Sequence, residues 1–155
     1  MPLIDVDLPE GLIPADRHER LAHDLGHALL AAEGLPGEGP ILAHTSVYLH
    51  PLPPGRVYTL AGGHGPAPIR VRVTTAAGSL DRAGQRQVVA DLTRIVAEAA
   101  TDPSVAEHAL VLISETAEGG WGARGAALGR EDFDRMNAAL KAGAGSTGAV
   151  RSNRE

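Results

Sequence analysis

Pro2-Leu3-Ile4-Asp5-Val6-Asp7-Leu8, directly behind Met1, sets Ile4, Val6 and Leu8 against Leu3, Asp5 and Asp7, the period of a strand that buries one face. Pro68-Ile69-Arg70-Val71-Arg72-Val73 alternates in the same way. The segments downstream of the two stretches repeat as well. After the first, Pro9-Glu10-Gly11 turns the chain and Pro14 suits a first helical position. Leu21, Leu25, Ala28, Leu29 and Ala32 then share one helical face until Gly34 stops it. A Pro/Gly-rich loop over residues 35–40 leads to a second apolar run, Ser46-Val47-Tyr48-Leu49. After the second stretch, Gly78-Ser79 turns into a helix with Ser79 as its expected N-cap. Val88, Leu92, Ile95, Val96 and Ala99 form its apolar face, and the run Ala109-Leu110-Val111-Leu112-Ile113 comes next. A shift of 67 lays Gly11 on Gly78, Asp24 on Asp91 and Leu25 on Leu92; a shift of 64 lays His44 on His108, Val47 on Val111 and Gly55 on Gly119. The difference falls in the loop after each helix, where length is free to vary. The chain reads as a βαβ unit written twice.

The expected fold is therefore α/β (α+β), with duplicated β-α-β units forming a four-stranded sheet and two helices on one face. A C-terminal helix is expected where Phe133, Met136 and Leu140 recur at helical spacing. Residues 2–65 hold the first unit with its linker and residues 66–142 the second unit with the C-terminal helix; residues 143–155 read as a disordered tail. The sheet face without helices is expected to be apolar and covered by subunit contacts.

Composition narrows the function. With 155 residues, 43% of them apolar but only 3% aromatic, the core must be aliphatic, and a domain of this size gains burial by oligomerising. A net charge of -5 without runs of like charge argues against nucleic acid or an anionic membrane as partner. The absence of cysteine excludes disulfides, thiol catalysis and cysteine zinc sites. No signal segment or long apolar run is evident, so a cytoplasmic location is expected. His23 and His27 have helical metal-ligand spacing, yet they fall opposite the Leu21/Leu25/Leu29 face and no third ligand is placed by spacing. The glycine-rich linker 61–65 lacks the Lys-Ser/Thr ending of a phosphate loop. Neither a metal nor a cofactor is expected.

Pro2 is the candidate catalytic residue. A small residue after the initiator generally permits removal of Met1, which would turn the prolyl nitrogen into a secondary amine. Apolar surroundings disfavour the charged form of such an amine, so it can exchange protons near neutral pH.

Met1-Pro2-Leu3-Ile4, the doubled βαβ pattern, and Val111-Leu112-Ile113-Ser114-Glu115 followed by Gly119-Gly120-Trp121-Gly122-Ala123-Arg124-Gly125 together resemble the tautomerase superfamily. More narrowly they resemble the fused members of its 4-oxalocrotonate tautomerase group. Residues 47–58 are similar to the corresponding part of the cis-3-chloroacrylic acid dehalogenases, and the resemblance spans roughly residues 2–128. It implies a trimer of fused subunits with enclosed sheet faces, and an amino-terminal proline, here Pro2, as catalytic base or acid. Pro68 takes the matching place in the second half, where its amide nitrogen cannot act as a base. The resemblance also puts Trp121 at a pocket-lining aromatic position, and Arg56 and Arg124 near the pocket as substrate-binding candidates. A guanidinium suits a carboxylate or an enolate because it offers two donors in a fixed fork.

The departures are specific. Arginines of the tautomerase pattern are replaced by Leu12 and Ser79 after the turn glycines, and by Ser46 and Leu110 early in the second strands. The dehalogenase histidine is Leu29, and its paired arginines are Ala76 and Ser79. The resemblance implies a cofactor-free keto–enol tautomerase acting on a small 2-oxo acid or enol. Its alternatives are a superfamily hydratase, dehalogenase or decarboxylase, or a trimeric binding or structural protein without turnover. Arg70 and Arg72 are assigned instead to cross-strand pairing with Asp5 and Asp7.

Overall fold

Strand β1 (Leu3–Pro9) has a hydrogen-bonded neighbour on each side. The computed structural model describes residues 2–60 and 67–149, with side chains through residue 143. In it β1 pairs in parallel with β2 (Ser46–Leu52) and antiparallel with β3 (Arg70–Ala76), which in turn pairs in parallel with β4 (Leu110–Thr116). The order is β2-β1-β3-β4. Each parallel pair is joined through a helix, α1 (His18–Ala32) in the first unit and α2 (Arg82–Ala99) in the second, because a parallel return needs a long crossover. The duplication is visible in the backbone. Gly11 and Gly78 end the turns after β1 and β3 with φ of 82° and 75°, and Gly55 and Gly119 repeat the match with 79° and 72°. The linker over residues 61–66, which holds the expected boundary between the units, lies outside the described residues.

One aliphatic layer lies between the sheet and the two helices. Ile4, Val6 and Leu8 from β1 and Val71 and Val73 from β3 meet Leu21, Leu25 and Leu29 of α1 and Val88, Leu92 and Val96 of α2. Burying each such side chain contributes about 1.5–3 kcal/mol, so the alternation read in residues 2–8 decides which sheet face the helices cover. Leu25 and Leu92, superposed by the repeat, are both fully buried.

Element boundaries differ in places. A 3-10 turn, Ala15–Arg17, precedes α1. The cap of α2 is Asp81, whose carboxylate accepts from the Gly84 N–H at 2.7 Å, and not Ser79. After β4 come a hairpin of β5 (Trp121–Ala123) and β6 (Ala126–Leu128), and then α3 (Arg130–Ala149). The tail expected from residue 143 is therefore helical through Ala149, and residues 150–155 lie outside the described residues. Leu140 of α3 packs against a second small cluster of Leu30, Leu35 and Ile41. Among the described residues no helix is long and apolar enough to cross a membrane.

The helix-free face corrects the expectation of a plainly apolar surface. Its centre is ionic: Asp7 accepts from Arg70 at 2.6 Å and lies 3.6 Å from Arg72, while Asp5 pairs with His50 at 2.8 Å. Arg70 and Arg72 thus both converge on Asp7. The large apolar side chains most exposed on this face lie on the edge strands, where Tyr48, Leu110 and Leu112 are 53%, 50% and 49% exposed, and Leu3 of β1 is partly exposed beside them.

Candidate active site

Pro2 is buried immediately before β1, and its carbonyl accepts from the Ser46 N–H at the start of β2 (3.3 Å). In the second unit the same bond runs from Leu110 N–H to the Ile69 carbonyl (2.9 Å). Ile69, not Pro68, is therefore the counterpart of Pro2. Because β1 and β3 are antiparallel, the start of β1 lies beside the end of β3: Leu3 pairs with Thr74, and the next residue, Thr75, is the sole buried polar side chain among the described residues.

The Thr75 hydroxyl donates to Glu33, which caps the C-terminal end of α1. Burial pushes the Glu33 carboxyl above its usual range; the Thr75 hydrogen bond and the positive charge of the chain's amino terminus oppose that rise. Glu33 also lines a cavity of about 190 Å³. Ala76 and Ser79 after β3, Glu118 after β4, and Arg130 and Phe133 of α3 form much of its wall. Ala76 and Ser79 are the positions at which the dehalogenase pattern has arginines, so the cavity opens where those side chains would project.

Arg130 comes from a different element. Its guanidinium lies beside Gly78, where the positive φ of 75° suits glycine, and no ion pair to it is found among the described residues. Its backbone N–H is held by the Glu118 carboxylate at 3.0 Å, while Asp132 accepts from the Gly129 N–H at 2.9 Å. These two bonds satisfy donors at the start of α3 and fix the helix against the cavity. Asp132 is held below the usual carboxylate range by the Gly129 N–H first and by Arg135 second.

The expected site residues are only partly brought together. Trp121 stands edge-on to Phe133, ring centres 6.1 Å apart, and it is Phe133 that lines the cavity. Arg124 and Gly125 form the two-residue turn between β5 and β6, with φ of 51° and 78°. Arg124 lines a separate groove of about 900 Å³, bounded by Pro40, Ile41, Met136 and Leu140. Arg56 is exposed in the loop after β2, whose last residue Leu52 pairs with Pro9 at the far end of β1 from Pro2. Within one chain it does not reach the start of β1. Sequence reasoning does not single out Glu33, Thr75 or Arg130. The available signal for Glu33 is an acid directly before the glycine that ends a helix, where the helix dipole favours a cation.

Neither a protein-family model nor a curated protein sequence matches the chain. Solved structures do. Native fused 4-OT aligns with 81% of this chain and 94% of its own at 22% identity and a TM-score of 0.68. A fused 4-OT described as a symmetric trimer covers 84% of this chain and 98% of its own at 21% identity, with a TM-score of 0.66. Malonate semialdehyde decarboxylase, described with decarboxylase and hydratase activities, covers 86% of this chain and 98% of its own at 18% identity and a TM-score of 0.61. With its doubled βαβ unit and its strand order, the chain has the fold of fused 4-OT.

Proposed function

We propose that the chain is a cofactor-free, tautomerase-like enzyme that uses Pro2 as general base and acid on a small 2-oxo acid or its enol. The observation that supports this reading is the position of Pro2, buried at the head of β1, where the register with β3 brings it beside Thr75, whose hydroxyl bonds Glu33, a residue that lines the cavity formed where the dehalogenase-pattern arginines would lie. Once Met1 is removed, the Pro2 nitrogen takes a proton from the carbon α to the substrate's carbonyl. The electron pair of that C–H bond moves into the carbonyl to give an enolate, and the prolinium returns the proton at oxygen or at a conjugated carbon. Arg130 is the cation suited to hold the substrate's carboxylate, in place of the absent arginines, and the backbone N–H groups of the turn at Gly78 and Ser79 lie on the same wall.

The working form in this reading is a homotrimer, as in the symmetric fused 4-OT. Arg56 then serves a site only from a neighbouring subunit, and Arg124 likewise. The test is ketonisation of phenylenolpyruvate or 2-hydroxymuconate by wild type and Pro2→Ala, with intact mass establishing the loss of Met1. Turnover by wild type that is lost in Pro2→Ala supports the reading; equal turnover in both eliminates Pro2 as the base.

A further inference from the structure

We propose that Glu33 is the second proton-transfer group of this site, a carboxylic acid that protonates the substrate's carbonyl oxygen while Pro2 removes the proton from the adjacent carbon. This rests on the reading of Pro2 as the base. Three features of its position favour the neutral acid over the carboxylate. Glu33 is half-buried, it stands at the C-terminal end of α1 where the helix dipole repels negative charge, and among the described residues it forms no ion pair. Its side chain accepts from a hydroxyl, that of Thr75, which ties one oxygen to β3. Glu33 lines the cavity as well, so the group reaches both the strand that flanks Pro2 and the space a substrate would fill. The charged groups around it are the amino terminus, Glu118 in the loop after β4, and Arg130, Asp134 and Lys141 of α3, the last beside Gly34.

The step balances with these two groups alone. The α C–H bond breaks and its proton goes to the Pro2 nitrogen. The electron pair forms the C=C bond as the carbonyl oxygen takes the Glu33 proton, leaving an enol, a prolinium and a carboxylate. In the second half the prolinium delivers its proton to a different carbon of the conjugated enol, and the enol O–H proton returns to Glu33. Both groups end as they began. With a shared acid and base, no full enolate charge has to be held, which suits a cavity that lacks the usual pair of arginines.

The experiment uses the mature chain without Met1, a carboxyl-carbon NMR titration of Glu33, and the kinetics of phenylpyruvate enolisation across pH for wild type, Glu33→Gln, Thr75→Val and Pro2→Ala. Glu33 should titrate above the exposed glutamates, and kcat/KM should fall on the alkaline side of that same titration. Glu33→Gln keeps an acceptor for Thr75 but carries no transferable proton, so it should fold normally, lose activity by roughly a hundredfold or more and lack the alkaline limb. Removing the Thr75 hydroxyl takes away a bond that stabilises the carboxylate, so Thr75→Val should move both the titration and the limb to higher pH. Near-wild-type activity in Glu33→Gln, or titration of Glu33 together with the exposed glutamates, overturns the proposal and leaves Pro2 standing. Full activity in Pro2→Ala overturns the parent reading and this inference with it.

Discussion

Arg130 and Arg124 are six positions apart and line different cavities. Arg130 enters the Glu33 cavity from the first turn of α3, whereas Arg124 occupies the first place of a two-residue hairpin turn at φ 51°, a conformation that asparagine or glycine adopts with less strain. Sequence motifs favour Arg124 because it comes after Gly119-Gly120-Trp121, and pass over Arg130 because nothing local says that α3 folds back onto the end of β3. The same holds for Glu33, which reads as one more polar residue before a helix-ending glycine until β3 places Thr75 against it. Pro2 is legible because its chemistry depends on chain position and on the alternation directly after it, both local. The placement of Arg130 leads to a kinetic prediction. If Arg130 holds the substrate carboxylate by a charge-assisted hydrogen bond, Arg130→Ala should lower kcat/KM for 2-oxo acids by about ten- to a hundredfold, the equivalent of roughly 1.5–3 kcal/mol. Neutral enols should be spared. Equal losses on acids and neutral enols would assign Arg130 to the packing of α3 instead.

At the scale of elements, alternation locates β1 and β3 and helical spacing locates the three long helices, since burial of one face imposes those periods directly, while β2 and β4 read only as apolar runs and the run of β4 proves half-exposed at Leu110 and Leu112. Ends are harder, because several polar residues compete for each cap. Ser79 and Asp81 both stand before α2, and the longer, charged Asp81 side chain reaches the Gly84 N–H. Ser79 is left to line the cavity. Asp81→Ala should therefore destabilise the fold by about 1 kcal/mol, read as a lower midpoint in urea unfolding, with kcat/KM unchanged. Ser79→Ala should do the reverse, leaving the midpoint in place and altering kinetics. If the two variants exchange behaviour, the cap is at Ser79 after all. The end of α3 departs from expectation for a related reason: Gly143, Gly145 and Gly148 lower helix propensity and suggest a tail, yet the helix runs on to Ala149. Its length cannot be read from propensity alone where packing sets it, as Leu140 against Leu30, Leu35 and Ile41 illustrates.

At the scale of the whole molecule, the duplication predicts one open sheet face, and the structure has it, though with a different chemistry from that expected. Alternation says which residues share that face but not how their charges settle. Asp7 draws both Arg70 and Arg72 and Asp5 turns to His50, so the charges in the middle of the face are paired within it. A face of this kind can be covered by another subunit at a lower desolvation cost than isolated charges would impose, because its ions are already paired. The half-exposed Tyr48, Leu110 and Leu112 supply apolar contact at its margins. The homotrimer we propose should therefore appear in light scattering at three times the 16.0 kDa chain mass. Leu112→Lys offers a specific test, since Leu112 pairs with Arg72 across β3 and β4 and lies outside the core. A lysine there adds an unpaired cation beside an existing one, which an interface must desolvate and a free surface need not. The variant should dissociate to folded monomers with little change in helix content by circular dichroism. A wild-type chain that scatters as a monomer, or a Leu112→Lys variant that remains trimeric, would mean that this face is not where the subunits meet, and Arg56 would then have no route to any active site.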